Sequence, residues 1–340
     1  MAQWPDILAA LVRREDLDET TASEAMRSIM SGEATPGQIG GFLLALRAKG
    51  ETVDEIVGLA RTMREFSLRV ATELRVVDTC GTGGDRAGTA NISTMAALVV
   101  AGAGVPVAKH GNRAASSSCG SADLLEALGV ELTLSPEGVA ACIEEAGIGF
   151  LFAPAFHPAM RHAGPVRREL GVPTVFNFLG PLTNPAGARR QTIGVSDAGM
   201  APKLAEALVR LGVDRAMVFR GDDGLDELST TTTSRVWDVD GDVSRSSIDP
   251  AALGIKAATL QDLAGGSAPD NARIARAVLD GEDGAVRDAV VLNAAAALVV
   301  AGMCADIAEG MGRARESIDS KAAAAAIEKL REVSRRVASA

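Results

Sequence analysis

Apolar positions recur every three or four residues along roughly the first 70, and from about Arg75 they collect into short β-branched runs instead. The first pattern predicts helices only. "IGGFLLALRAKG" keeps helical spacing and stops on Gly50, and Thr21 with Glu24 and Thr52 with Glu55 have the spacing of capping boxes. In the second pattern, "RVVDTC", "VPVAKHG", "VELTL", "IGFLFAP", "RQTIGV" and "RAMVFRG" alternate with alanine-rich helical stretches, which predicts a parallel or mostly parallel sheet covered on both faces. "SRVWDVDGDVSR" sets Asp240-Gly241 between two alternating runs and adds an antiparallel hairpin at the sheet edge. The expected fold class is α/β: a small all-helical N-terminal domain over residues 1–72, and a large α/β domain over 73–340 with a central, mostly parallel sheet flanked by helices.

Composition narrows the ligands such a fold would take. Hydrophobic residues make up 47% of the 340, yet aromatic residues only 3%, with no Tyr. A core of closely packed Ala, Val and Leu suits helices against a parallel sheet and leaves few rings to stack single-stranded nucleic acid. The net charge of −10 repels phosphate backbones at long range. A phosphorylated ligand must therefore be held by a local cluster of cations and amides. Four cysteines (Cys80, Cys119, Cys142, Cys304) stand far apart, with no CxxC pair, and read as reduced thiols of a cytoplasmic protein. The apolar run in "MAQWPDILAALVRRED" is too short for the core of a signal peptide. "AVVLNAAAALVVAGMCADIA" contains Asn293 and Asp306 and reads as a buried core helix, not a membrane span.

In open α/β sheets ligands sit beyond the carboxyl ends of the strands, and four stretches there carry unusual chemistry. "VVDTCGTGGDRAGTANIST" follows the first strand with Gly81, Gly83, Gly84 and Gly88. It is neither a dinucleotide fingerprint, since Arg86 stands where glycine is needed, nor a Walker loop. It has the composition of an anion-binding nest opening a helix, although such a turn alone is equally a tight connection capped by Asn91. "KHGNRAASSSCGSAD" gathers Lys109, His110, Asn112 and Arg113 at the same sheet edge, groups that suit phosphate and ribose hydroxyls. In "FHPAMRHAGPVRRELG", Pro158, Pro165 and Gly171 predict two short helices presenting His157, Arg161 and Arg167 or Arg168, with arginine suited to grip a carboxylate. "GDDGLDELSTTTTS" crowds Asp222, Asp223, Asp226 and Glu227, hard oxygens of the kind that hold magnesium beside phosphate.

"GTGGD", "NIST", "KHGNR", "NFLGPLTNP" and "DGLDEL", in this order, resemble the anthranilate phosphoribosyltransferase family, and "GQIGGFLLALRAKGET" and "DAVVLNAAAALVVAG" extend the resemblance over nearly the whole chain. It implies a helical domain hinged to the α/β domain, recruiting a mid-chain segment at about residues 163–188, and a homodimer formed through that helical domain. It implies transfer of the phosphoribosyl group of phosphoribosyl pyrophosphate to the amine of anthranilate, in tryptophan biosynthesis, with magnesium as cofactor, two ions being expected. Phosphoribosyl pyrophosphate would meet Gly81, Thr82, Gly83, Gly84, Asp85, Thr89, Asn91, Ser93, Thr94, Lys109, Arg113 and Ser116. Anthranilate would meet Gly81, Asn112, His157, Arg167 and Gly180, with Arg167 on its carboxylate. Ser93, Asp226 and Glu227 would hold the metal. His110 is the one candidate proton acceptor. Arg86, Ala90 and Cys119 depart from the family pattern and bear on the flexibility of the loop, not on the reaction. The alternatives are a pyrimidine nucleoside phosphorylase of the same fold, which would need its own lysine and serine motif at "KHGNR", or a non-catalytic nucleic-acid-binding relative, which would need a basic surface. Neither nucleic acid nor a membrane is expected as a partner.

Overall fold

The computed structural model describes residues 3–114 and 118–339. Seven strands form one sheet: β1 (Val77–Gly81), β2 (Val107–Gly111), β3 (Ile148–Phe152), β4 (Arg190–Gly194), β5 (Arg215–Gly221), β6 (Ser234–Asp240) and β7 (Asp242–Ile248). Their order is β3-β2-β1-β4-β5-β6-β7. The first five run parallel, and β6 and β7 add the antiparallel hairpin, turning at Gly241 with φ 74°. The chain steps outward from β1 to β3 and returns to lay β4 on the other side of β1. The topological switch therefore falls between β1 and β4, where a crevice opens beyond the strands' carboxyl ends.

Alternation along the strands feeds two cores. Met217 and Phe219 of β5 face the helices Ile92–Gly102 and Ala285–Ala301, whereas Ala216 and Val218 face the helix Ala201–Arg210. The second core does not end there. It runs on through Met26, Phe42, Leu43 and Leu59 of the N-terminal helices, and takes in Ala163, Val166, Phe176 and Leu179 from mid-chain. A polar tie crosses the same junction. Arg47 of the helix Pro36–Lys49 donates to Asp197, just beyond β4, and to Glu51 at 3.1 Å, with its guanidinium 5.1 Å from the centre of the Phe178 ring.

Two sequence expectations are corrected. Thr21 and Glu24 do not cap a helix: Asp18, outside the helix Glu19–Ser31, accepts the Thr21 amide at 2.7 Å and places Thr21 inside the first turn. Thr52 and Glu55 do form a reciprocal box, at 3.3 and 2.7 Å. "VELTL" is not a strand. Val130, Leu132 and Leu134 alternate into the core, but the backbone has no strand beside it. The Val130 amide donates to the Leu125 carbonyl at 3.0 Å, and the next two go to side chains, Glu131 to Ser334 Oγ at 3.1 Å and Leu132 to Glu131 Oε1 at 3.2 Å. Among the described residues no helix is long and apolar enough to cross a membrane, and Cys80, Cys142 and Cys304 are free thiols.

Candidate functional site

The glycine loop hangs from β1 in left-handed conformations: φ is 67° at Gly83, 87° at Gly84 and 66° at Gly88. Its base is fixed from β4 and β5. The Thr82 amide donates to the Gly194 carbonyl at 2.9 Å, Ser196 Oγ donates to the Gly83 carbonyl at 2.7 Å, and Arg220 Nε donates to the Ser196 carbonyl at 2.9 Å. The Gly83 amide already holds an anionic oxygen, Oδ2 of Asp226, at 2.6 Å.

Asp226 and Glu227 reach the loop from beyond β5. Buried Leu225 and Leu228 anchor the turn on either side, and Asn293 clamps it by accepting the Leu228 amide at 2.9 Å and donating to the Leu228 carbonyl at 3.0 Å. This accounts for an asparagine in the otherwise apolar stretch 289–301 of its helix. Glycine is required at Gly194 on β4, where an added Cβ would lie 1.6 Å from the Asp226 carbonyl oxygen, and at Gly81 on β1 a Cβ would lie 2.3 Å from Asp226 Oδ2 and displace that carboxyl. Glu227 accepts the Ser93 amide at 3.1 Å. Burial pushes the Asp226 carboxyl up to about 7, helped by Asp85, and pushes Glu227 well above the usual carboxylate range, helped by Asp226. The exposure that both residues keep is toward a cavity of about 1080 Å³, which they line together with the glycine loop.

Within β2, Lys109 is 2% exposed and its ammonium donates to the Thr79 carbonyl. Arg113 is exposed and grips Glu126 through two bonds of 2.8 Å and Asp123 at 2.9 Å. The two cations read as a phosphate wall are thus a buried strut and a paired surface arginine. Asn112 accepts the Arg113 amide at 2.7 Å. Ser116 lies outside the described residues. Asn91 Oδ1 accepts from Asn271 at 2.8 Å and its Nδ2 donates to the Cys119 carbonyl at 3.0 Å, so the residue at the helix entrance is held by a buried asparagine the sequence reading missed. Thr94 Oγ1, on the cavity wall, is buried with no partner among the described residues.

Asp78, wholly buried, accepts from Asn184 at 2.7 Å and from the His110 amide at 3.1 Å. Burial pushes its carboxyl up to about 6, against the pull of Lys109 and these bonds. A carboxyl raised in the folded state weakens the fold as pH climbs from its unfolded value, about 3.9, to about 6. The stability of the wild type relative to Asp78→Asn should therefore fall across that window and level off above it. Thermal melts of both proteins at pH 4, 5, 6 and 7 measure it, and parallel curves would contradict the assignment.

The opposite end of the cavity is built by the segment after β3. His157 and His110 face each other through their Nε2 atoms at 3.2 Å, and His110 Nδ1 lies 3.1 Å from the Gly180 carbonyl. That carbonyl can only accept, so Nδ1 of His110 carries the hydrogen, its Nε2 accepts from His157 Nε2, and Nδ1 of His157 is left unprotonated. Burial pushes His110 down to about 3, helped by the His157 ring, and His157 down to about 4. Arg167, in the helix Gly164–Leu170, sits 5.1 Å from the centre of the Phe176 ring with no carboxylate partner among the described residues. Arg161 and Arg168 are exposed on the same rim.

A strand-end glycine nest faces a half-buried acid pair, on a sheet joined to a helical bundle, and both parts of the chain match a glycosyl transferase family. Residues 5–67 match the helical bundle domain of the glycosyl transferase family and residues 73–324 its a/b domain. The anthranilate phosphoribosyltransferase of Salinispora arenicola is 56% identical over 98% of this chain and 97% of its own. The crystal structure of the Thermus thermophilus enzyme of that name superposes with a TM-score of 0.91 at 48% identity, over 97% of this chain and 99% of its own. The Saccharomyces cerevisiae enzyme, in complex with phosphoribosyl pyrophosphate and magnesium, gives 0.90 at 28% identity, over 98% of each chain. The chain belongs to the anthranilate phosphoribosyltransferases, the pentosyltransferases of tryptophan biosynthesis.

Proposed function

We propose that the chain joins phosphoribosyl pyrophosphate to the amine of anthranilate, giving N-(5-phosphoribosyl)anthranilate and pyrophosphate. The observation that carries this is one cavity with two unlike ends: amides and buried carboxylates at the glycine loop, and an unpaired arginine stacked on Phe176 across from them. In our reading Gly81, Thr82, Gly83, Gly84, Asp85, Thr89, Asn91, Ser93 and Thr94 receive the phosphoribosyl pyrophosphate, with the orphan Thr94 hydroxyl completed by the ligand. Asn112, His157, Arg167 and Gly180 receive anthranilate.

The acid pair fits magnesium. Asp226 and Glu227 are hard oxygen donors that repel each other and accept the Gly83 and Ser93 amides, and among the described residues no three acidic, His or Cys side chains are placed to hold a metal alone. A site of one or two carboxylates completed by water and phosphate oxygens is the kind magnesium accepts. Asp226, Glu227 and Ser93 would hold it, two ions with the substrate, and bound there it neutralises charge gathering on the departing pyrophosphate. The nest amides stabilise the same charge. The anomeric C–O bond breaks with oxocarbenium character while the arylamine, barely basic and needing no prior deprotonation, attacks from the opposite face. His110 is a poor proton acceptor, since its one lone pair is engaged by His157 and its ring stays neutral well below pH 7. We give it the task of orienting His157. Residues 1–72 with about 163–188 act as one unit closing on 73–340, which excludes water from the cavity. Homodimerisation through the helical unit is supported by Val12, Leu44 and Val172, large hydrophobics left exposed there. The free thiols of Cys80, Cys142 and Cys304 support a cytoplasmic setting.

Pyrophosphate release from phosphoribosyl pyrophosphate should require anthranilate, and release at the same rate without it would refute the transfer. Arg167→Ala removes one charge-assisted contact, about 2 kcal/mol or roughly thirtyfold in binding. It should raise KM for anthranilate far more than KM for phosphoribosyl pyrophosphate, and equal effects would place Arg167 in the fold instead.

A further inference from the structure

The phosphate end of the cavity is poor in available cations. Lys109 is committed to Thr79 and sits beside Asp78, and Arg113 is committed to Asp123 and Glu126. Asp85, Asp226 and Glu227 meanwhile crowd the same end with carboxylates. One cation remains. Arg86 lies in the middle of the glycine loop, exposed, on the cavity wall, and without a carboxylate partner among the described residues.

Its backbone makes the placement informative. Arg86 has φ 58°, the left-handed region that the loop otherwise reserves for Gly83, Gly84 and Gly88. An arginine is strained there where glycine would not be, and strain of this kind persists at sites where the side chain has a task. Asp85 accepts the Ala87 amide at 3.2 Å, a short turn that holds Arg86 at its apex. The guanidinium supplies a planar fork matched to phosphate oxygens, which a glycine at this position would lack.

We propose that Arg86 is a substrate-binding residue, its guanidinium gripping the diphosphate of phosphoribosyl pyrophosphate and of the pyrophosphate product. This rests on the reaction proposed above. Binding of inorganic pyrophosphate with magnesium, by calorimetry, and steady-state kinetics would be measured for the full chain as wild type, Arg86→Gly and Arg86→Lys. In Arg86→Gly the pyrophosphate dissociation constant and KM for phosphoribosyl pyrophosphate should each rise roughly tenfold, KM for anthranilate should hold, and the melting temperature should stay level or rise as the strain is relieved. Arg86→Lys should recover part of the loss, since it keeps the charge without the fork. Wild-type affinity should also fall more steeply with salt than that of Arg86→Gly. An active Arg86→Gly protein with unchanged pyrophosphate affinity and KM would overturn the proposal alone. A wild type that neither binds pyrophosphate nor releases it when anthranilate is present would overturn the reaction along with it.

Discussion

Replacing Asp226 and Glu227 together by alanine should lower turnover on the order of a thousandfold, the scale seen when groups that stabilise developing charge are removed. The fold should survive. Burial and like charge disfavour both carboxylates in the folded state, so the double variant should melt no lower than the wild type at neutral pH. A second measurement separates lost metal from lost shape: magnesium with pyrophosphate should raise the melting temperature of the wild type and leave that of the variant unmoved. Turnover above a tenth of the wild-type value, with its magnesium dependence intact, would take the acid pair out of the mechanism.

The smallest substitution in the site should have the second largest effect. At Gly81 an alanine Cβ would come within 2.3 Å of Asp226 Oδ2 and 3.3 Å of the Asp226 carbonyl oxygen. The carboxylate must move, breaking its bond to the Gly83 amide and shifting the loop that this bond fixes. Displacements near 1 Å at a reacting site cost roughly a hundredfold, and Gly81→Ala should weaken catalysis with phosphoribosyl pyrophosphate by about that much. Gly37→Ala, outside the site, serves as the comparison, because its Cβ would meet nothing within 4 Å. Similar losses in both variants would show that the effect does not come from crowding Asp226.

Local signals in the sequence carried far, and long-range ones did not. Val76-Val77 before the glycines, the Asp240-Gly241 hairpin and the Thr52–Glu55 box all lie within a few residues of what they determine. "VELTL" misled because its alternation reports burial truthfully, yet a strand also needs a neighbour, which the chain does not supply there. Arg113 reads as a phosphate ligand until the helix Ser121–Ala127 brings Asp123 and Glu126 to it. The side chains that hold the site in shape were illegible for the same reason: Asn271 lies 180 residues from Asn91, Asn184 lies 106 from Asp78, and Asn293 lies 65 from Leu228. An asparagine announces nothing about a partner so distant. Asp226 and Glu227 were singled out as hard oxygens by type, but that they approach Gly81 and Gly194 so closely is visible only once three strand ends are set side by side.

Neighbouring residues beyond β4 serve two masters. Ser196 holds the glycine loop through the Gly83 carbonyl, and Asp197 holds Arg47 of the helical region. Whatever tightens the loop around a diphosphate therefore acts on the joint that sets the helical region's approach, and whatever draws that region inward acts back on the loop. In the reaction proposed above, this joint would couple the two substrates thermodynamically in addition to their direct contact. By reciprocity, the factor by which one improves the other's affinity must be the same whichever binds first, and cutting the Arg47–Asp197 tie should bring that factor toward one.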